Sequence, residues 1–318
     1  MLQDALLALD IGGSAVKYGI WTKHQLIKQA QFPTPLTRNR FYSEVEQLRD
    51  QFATDFHLTG IAVSCPGDPD EQTGIIHGMS YVPFLHLGEF QTEFATRLGL
   101  PVSLQNDADS AALAEMTAGI GQGHLSALFT IIGSGIGLSI IENGTILKTT
   151  ADKIDNFEKF IADAIKTLNN SKVSPVQIGK TVSLRNFKLP NTIDGKTVFE
   201  LADQGDPIAT QEVTQMYAAL AEIMLFLNVA YTPEIIGVGG GISQRTDLLP
   251  KLNAAIDALL ADDNSSINRY WQRRAGATTP IPVPHIEICH FNQDANLIGA
   301  VYHFLERECV VSRVSDED

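Results

Sequence analysis

Short apolar runs alternate along the chain with segments of helical spacing. The runs LLALD, GIAVSC, LFTII and IIGVG each predict a buried strand. Helices are predicted over residues 41–52, 90–98, 208–231 and 248–260. A short strand over residues 101–104 leads into Asn106 and Asp107, and the helix formers of residues 110–117 predict a helix that we expect Asp109 to cap. Strands that alternate with helices are typical of an α/β fold.

Two glycine-rich turns follow apolar runs of this kind. They are Asp10-Ile-Gly-Gly-Ser14 and Gly133-Ser-Gly-Ile-Gly137. Glycine has no Cβ, so the backbone N–H groups of such turns can approach phosphate oxygens, and the hydroxyls of Ser14 and Ser134 add donors. Each turn alone is equally consistent with an ordinary hairpin. Two turns in matching contexts favour a duplicated cradle for nucleotide phosphates.

The length and composition indicate the number of domains and exclude some classes of partner. A chain of 318 residues exceeds one typical core, so two domains are expected, and each half repeats strand, glycine turn, strand and helices. The formal net charge of −14 repels polyanions, which argues against nucleic acid or an anionic membrane as a partner. The cysteines form no Cys-x-x-Cys pair, and the N-terminal apolar run lacks the basic flank of a signal peptide. We therefore expect a soluble cytoplasmic protein.

Several segments carry a resemblance to a known family. DIGGSAVKYGIW, GIAVSCPGD, NDADSAALAE, TIIGSGIGLSIIENG and PEIIGVGGGIS resemble the ordered motifs of the ROK (repressor, open reading frame, kinase) family of sugar kinases. The ending LIGAVYHFLERE is similar in particular to its β-glucoside kinases. The resemblance implies the two-domain, ribonuclease H-like α/β fold of actin and hexokinase, with ATP in an interdomain cleft. It further implies a smaller domain of residues 1–115 plus 296–318 and a larger domain of residues 116–295.

The resemblance also assigns roles to individual residues. Asp10 is expected to orient the Mg²⁺ of MgATP, Asn106 and Gly67 to contact the sugar, and Asp107 to be the catalytic base. The expected nucleotide contacts are Gly12, Gly13, Ser14 and Lys17 at the first turn, Gly133, Ser134, Gly135 and Gly137 at the second, and Gly239, Gly240 and Gly241 around the adenosine. A carboxylate at a strand-to-helix junction suits a general base, although an acidic residue there also stabilises the helix dipole by about 0.3–1 kcal/mol.

One segment departs from the family pattern. ROK kinases usually carry a GE-x-GH segment that binds sugar hydroxyls and then a cysteine-rich zinc loop, but residues 145–175 contain no histidine and no cysteine. We therefore expect no zinc site. Asn156 falls nearest to the position of the missing glutamate, and Glu158 is next. Either residue contacts the sugar in an altered pocket, or this segment is an amphipathic helix, which the apolar spacing favours.

The expected function is phosphorylation of a sugar or β-glucoside hydroxyl by MgATP. The alternative is a non-catalytic ROK-type regulator or pseudokinase that binds sugar or ATP. ROK repressors carry an additional N-terminal DNA-binding domain, and we expect none here because the first motif begins at Asp10. The identity of the sugar, the hydroxyl that is phosphorylated and the formation of a homodimer stay open at this point.

Overall fold

A computed structural model describes residues 2–133, 135–147, 174–276 and 279–315. The chain divides into two compact units. Unit 1 contains Met1–Gly119 and Gln293–Asp318, and unit 2 contains Ile120–Asn292. Each unit has its own sheet and its own cluster of buried apolar side chains.

Unit 1 is built on a five-stranded sheet. Its elements in chain order are β1 (Gln3–Ile11), β2 (Ala15–Thr22), β3 (Gln25–Pro33), α1 (Arg38–Phe52), β4 (Phe56–Cys65), β5 (Asp68–Asp70), β6 (Ile75–His77), α2 (Phe90–Leu98), β7 (Val102–Asn106) and α3 (Asp107–Ala118). The strand order is β3-β2-β1-β4-β7, while β5 and β6 form a separate ribbon. Strands β1, β2 and β3 are antiparallel, and β4 and β7 run parallel to β1.

Unit 2 repeats this plan. Its elements are β8 (Ala127–Ile132), β9 (Ile136–Glu142), β10 (Thr145–Ile146), α4 (Pro175–Arg185), α5 (Gly195–Asp203), α6 (Pro207–Tyr231), β11 (Ile235–Gly239), α7 (Leu248–Ala261), α8 (Ser266–Ala275) and β12 (Ile286–Ile288). The order β10-β9-β8-β11-β12, with β8, β9 and β10 antiparallel and β11 and β12 parallel to β8, matches the first sheet strand for strand. The internal duplication suggested by the two glycine turns is therefore present as a repeated sheet topology.

Helix α6 is the central helix of the unit 2 core. Among the described residues it is the one helix long and apolar enough to cross a membrane, and 67% of its most apolar window is buried inside the protein. Its buried side chains include Met216, Leu220 and Met224, which belong to the apolar cluster under the second sheet. Burial of this kind is typical of the core helix of a globular protein.

The chain returns to unit 1 through α9 (Ala295–Ser315), which packs on α3 and on the first sheet. Two glycines permit this close approach. A Cβ on Gly299 would lie 1.6 Å from the carbonyl oxygen of Ser110 in α3, and a Cβ on Gly60 in β4 would lie 2.2 Å from Cζ of Phe304. The last helix is thus an integral layer of unit 1, and it carries polar side chains to the ends of β1 and β7.

Candidate active site

Asp10 lies near the end of β1 and is almost fully buried, with 8% of its surface exposed. Its Oδ1 accepts hydrogen bonds from Ser64 Oγ at 3.2 Å and from Asn296 Nδ2 at 3.0 Å. Ser64 is its register partner on β4, and Asn296 comes from α9. Burial raises the pKa of Asp10, whereas the Asn296 amide, the charge of Lys17 and the Ser64 hydroxyl each lower it.

The first glycine turn connects β1 to β2. Gly12 N–H donates to the carbonyl of Ala15 at 3.0 Å, and Thr34 Oγ1 donates to the carbonyl of Gly12 at 2.6 Å. A Cβ on Gly12 would lie 2.9 Å from the oxygen of Ala15, and one on Gly13 would lie 3.0 Å from Cβ of Tyr81. Packing against the Ala15 carbonyl therefore disfavours any side chain at Gly12, and a side chain at Gly13 would have to displace Tyr81.

Lys17 and Ser14 lie beside this turn. Lys17 is the register partner of Asp10 on β2, and its Nζ lies 3.4 Å from the carbonyl oxygen of Gln293. Ser14 accepts a hydrogen bond at its carbonyl from Thr34 N–H at 3.1 Å. Lys17 thus lies beside the buried carboxylate, and the backbone of Ser14 is held by Thr34.

Asn106 is the last residue of β7 and the N-cap of α3. Its Oδ1 accepts from the N–H groups of Ala108 at 2.9 Å and Asp109 at 3.2 Å, and its Nδ2 donates to the carbonyl of Gly67 at 2.7 Å. The prediction that Asp109 caps this helix is wrong. The helix begins three residues earlier than residue 110 because the strand ends directly in a residue whose amide oxygen satisfies the first free N–H groups.

Asp107 is the first residue of α3. Its Oδ1 accepts from Ala108 N–H at 2.9 Å. Burial raises the pKa of Asp107 to about 6, the charges of Asp10 and Asp109 add to the rise, and the Ala108 hydrogen bond opposes it. A carboxylate with a pKa in this range is well matched to proton transfer near neutral pH.

Gly67 follows β4 and supplies the carbonyl that holds Asn106. Its φ of +103° suits glycine, and a Cβ there would lie 2.8 Å from the carbonyl oxygen of His77 and from Cε1 of His86. The His86 ring is fixed by contacts of 3.1 Å from Nδ1 to the Ile76 carbonyl and 2.8 Å from Nε2 to Ser80 Oγ. The backbone at Gly67 is therefore immobilised beside the strand that ends in Asn106.

The second glycine turn lies in unit 2, between β8 and β9. Gly133 N–H donates to the carbonyl of Gly135 at 2.9 Å, and Gly137 pairs with Ile131 across the two strands. A Cβ on Gly133 would meet no atom within 4 Å, so the backbone at this point faces open space. Ser134 lies outside the described residues.

The run Gly239, Gly240 and Gly241 begins at the last residue of β11, the neighbour of β8. Gly240 has a φ of +87°, and a Cβ there would lie 2.2 Å from the carbonyl oxygen of Ile132, the residue just before the second turn. Ser243 Oγ donates to the Gly240 carbonyl at 2.7 Å, and a Cβ on Gly241 would enter open space. The structure thus brings the predicted adenosine motif against the second phosphate turn within unit 2.

Some predicted residues cannot be placed, and some site residues were not predicted. Asn156 and Glu158 lie outside the described residues. Sequence reasoning missed Ser64 and Asn296, which hold Asp10 across the fold, because nothing local distinguishes these polar residues from others on a strand or helix. The described ranges hold no group of three or more His, Cys, Asp or Glu side chains suited to a metal ion.

The residues present fit a magnesium nucleotide. Burial leaves the Asp10 carboxylate with neutral hydrogen-bond donors and an incompletely compensating Lys17, and a nearby cation would favour its charged form. Oxygen ligands of this kind are those that Mg²⁺ prefers. The open backbone faces at Gly133 and Gly241 leave room for a ligand to approach N–H groups.

Comparison with known proteins shows which family and which solved structures this chain resembles. Residues 6–151 and 175–305 match the ROK family. A β-glucoside kinase of Listeria monocytogenes is 27% identical over 313 residues, which cover 95% of this chain and 98% of that protein. A ROK family protein of Streptococcus pneumoniae, solved in complex with sucrose, is similar with a TM-score of 0.73 at 24% identity, over 96% of this chain and 99% of that chain.

A ROK family glucokinase of Streptomyces griseus, solved with glucose and AMPPNP, has a TM-score of 0.67 at 19% identity, over 93% of this chain and 97% of that chain. These likenesses show the two-domain α/β fold of hexokinase-type kinases, as the sequence predicted. The similar proteins include some named β-glucoside kinase and glucokinase. Because the family match spans most of its length, this chain belongs to the ROK family of proteins.

Proposed function

We propose that this protein is a cytoplasmic, ATP-dependent carbohydrate kinase that phosphorylates a hydroxyl of a sugar or β-glucoside, with Asp107 as the general base. The observation that carries the proposal is the environment of Asp107, a carboxylate at the start of α3 whose burial raises its pKa to about 6. Relatives named as sugar kinases supply the reaction class.

Asp107 would accept the proton of the attacking hydroxyl. As the bond between the acceptor oxygen and the γ-phosphorus forms, the bond to the leaving oxygen of ADP breaks, and the hydroxyl proton passes to the carboxylate. The reaction needs Asp107 ionised, and a pKa of about 6 keeps it so at neutral pH while leaving it basic enough to take the proton.

Asn106 is suited to orient the acceptor. A side-chain amide carries two N–H donors. One Nδ2 hydrogen of Asn106 is engaged by the Gly67 carbonyl at 2.7 Å, and its Oδ1 is engaged by two backbone N–H groups. The second Nδ2 hydrogen is the group with which Asn106 would donate to a sugar hydroxyl, beside Asp107 and the Gly67 backbone.

Each unit carries its own glycine motif, and we propose nucleotide contacts for each unit separately. Asp10 and Lys17 are proposed for MgATP in unit 1, together with the first turn, and the second turn with Gly239, Gly240 and Gly241 in unit 2. When bound, Mg²⁺ offsets the charge of the β- and γ-phosphate oxygens. The chain would contribute backbone N–H groups to those oxygens. These neutral donors are important because the protein has a net charge of −14 and so has no excess of cationic side chains to attract the nucleotide.

One observation favours a second candidate, a non-catalytic ROK-type protein that binds sugar or ATP. Residues 145–175 lack the glutamate and histidine of the GE-x-GH segment. Loss of one charged hydrogen bond to substrate costs about 1.5–3 kcal/mol, which weakens affinity without removing the base. For this reason the kinase is preferred.

The deciding experiment is an ADP-release assay with a panel of sugars and β-glucosides in the presence of Mg²⁺. A kinase produces ADP and a phosphorylated acceptor in equal amounts with at least one sugar. If no sugar stimulates ADP release while the protein still binds ATP or a sugar in calorimetry, the non-catalytic candidate replaces the kinase.

A further inference from the structure

A chain of polar contacts connects the surface of unit 1 to the residue that precedes Asp107. Gln105 in β7 is 6% exposed, and its Oε1 accepts a hydrogen bond from the backbone N–H of Asn106 at 3.0 Å. Its Nε2 lies 3.4 Å from Nδ1 of His303, in α9. His303 Nε2 in turn lies 2.8 Å from Oε1 of Glu71.

The side-chain amide of Gln105 determines which groups donate and which accept in this series of contacts. Because Oε1 is the acceptor for Asn106 N–H, Nε2 must donate to His303, and Nδ1 of that ring must be free of a proton. The hydrogen-bonding roles of Asn106 N–H, the Gln105 amide and His303 Nδ1 are therefore mutually compatible.

We propose that His303, acting through Gln105, is a positioning residue that fixes the strand-to-helix junction from which Asp107 projects. The inference rests on the proposed role of Asp107 as base. Asn106 is held at its backbone N–H by Gln105 and at its side chain by Gly67, Ala108 and Asp109. Contacts from the sheet at Gln105, from the loop at Gly67 and from the start of helix α3 therefore hold the peptide that links Asn106 to Asp107.

Packing alone does not call for a histidine here. Helix α9 already buries Leu297, Val301 and Phe304 against unit 1, and a half-buried polar ring among them must keep its hydrogen-bond partners. Asn296 precedes His303 by seven residues, about two helical turns, so both side chains lie on the same face of α9. Asn296 holds Asp10, and His303 holds Gln105. One helix face thus orders both carboxylates that the proposed reaction uses.

The test compares two variants of His303 with a control on the same helix. In His303→Asn the Oδ1 atom can accept from Gln105 in place of Nδ1, whereas His303→Leu leaves the Gln105 amide without an acceptor. Glu308→Gln, at an exposed position on α9, is the control. We expect kcat of His303→Leu to fall by about tenfold or more with the KM values for ATP and sugar within about threefold of wild type, and kcat of His303→Asn to stay within about threefold.

Hydrogen exchange at the Asn106 amide supplies a readout that does not depend on activity. Exchange at this N–H should speed up in His303→Leu, while His303→Asn and Glu308→Gln should retain wild-type protection. If both His303 variants lose the same activity, or if Asn106 protection is unchanged in His303→Leu, the positioning role is wrong. If the wild-type protein phosphorylates no sugar, the proposed function fails, and the exchange result still decides whether His303 orders the junction.

Discussion

The side-chain amide of Asn296 donates a hydrogen bond of 3.0 Å to the buried carboxylate of Asp10, although 286 positions separate the two residues. Asp10 is the next-to-last residue of the first strand of unit 1, and Asn296 lies in the first turn of its last helix. The start of helix α9 is therefore part of the environment of the first phosphate motif, and this carboxylate has all its partners only when α9 is packed on unit 1.

Replacement of Asn296 by alanine should weaken the use of MgATP. A hydrogen bond to a charged group contributes about 1.5–3 kcal/mol, so kcat/KM for MgATP should fall by roughly 10- to 100-fold, with little change in the KM for sugar. Steady-state kinetics at saturating sugar measure the effect. Gln293→Ala is the matched control, because that exposed residue contacts Lys17 only through its backbone carbonyl. Equal kinetics for the two variants would contradict a role for Asn296 at Asp10.

Replacement of Asp107 by asparagine should remove most of the chemistry. Loss of a general base lowers kcat by about 10²–10⁴-fold, while the fold and much of the ATP affinity should persist because the glycine turns are intact. Asp109→Asn is the control, since it removes the same charge two residues further along α3. Phosphorylation by Asp107→Asn at the wild-type rate would exclude this residue as the base.

The metal requirement follows from the donor types on the chain. We expect the purified protein to contain no stoichiometric zinc and to need added Mg²⁺ for activity, because carboxylate and phosphate oxygens are ligands for magnesium and residues 145–175 contain no cysteine or histidine. Elemental analysis and activity titrations with chelator measure both quantities. One zinc per chain, or full activity in excess chelator, would overturn this expectation.

The sequence predicts features that depend on neighbouring residues, but it does not predict contacts between segments that are far apart along the chain. The strands and glycine turns were predictable because apolar runs and missing Cβ atoms act on their own segment, as at Gly133. The Asp109 cap was wrong because three acidic or amide residues, Asn106, Asp107 and Asp109, compete within four positions, and only the end of β7 decides in favour of Asn106. Contacts such as Gln105 with His303 depend on the position of α9 on the sheet, which no periodicity encodes.

The adjacent residues Gly240 and Gly241 allow the effect of backbone strain to be tested separately from the effect of a side chain in the space open to a ligand. Gly240→Ala places a Cβ 2.2 Å from the Ile132 carbonyl at a φ of +87°, so the variant should unfold at lower temperature, with a loss of about 1–3 kcal/mol in the free energy of unfolding. Gly241→Ala, whose Cβ enters open space, should keep the wild-type melting temperature and raise the KM for ATP. Thermal melts and ATP kinetics on both variants test the contrast. A stable Gly240→Ala, or normal ATP kinetics in Gly241→Ala, would contradict it.

The raised pKa of Asp107 predicts opposite effects of pH on activity and on stability. Activity requires the ionised carboxylate, so kcat/KM should fall about tenfold per pH unit below about pH 6. Folding instead favours the protonated form, because the pKa is raised from 3.8 in the unfolded chain to about 6 in the folded protein. The protonated group contributes its full share of stability below pH 3.8, and this share is lost as the pH rises through about 6.

Asp107→Asn cannot ionise and should therefore avoid this loss. Above pH 7 the variant should be more stable than wild type by on the order of 2 kcal/mol, and the difference should shrink to near zero as the pH falls towards 4. Urea unfolding of both proteins between pH 4 and pH 8 measures the difference. A stability difference that is independent of pH, or that favours the wild type above pH 7, would show that burial does not raise the pKa of Asp107, and the main argument for its role as the base would be lost.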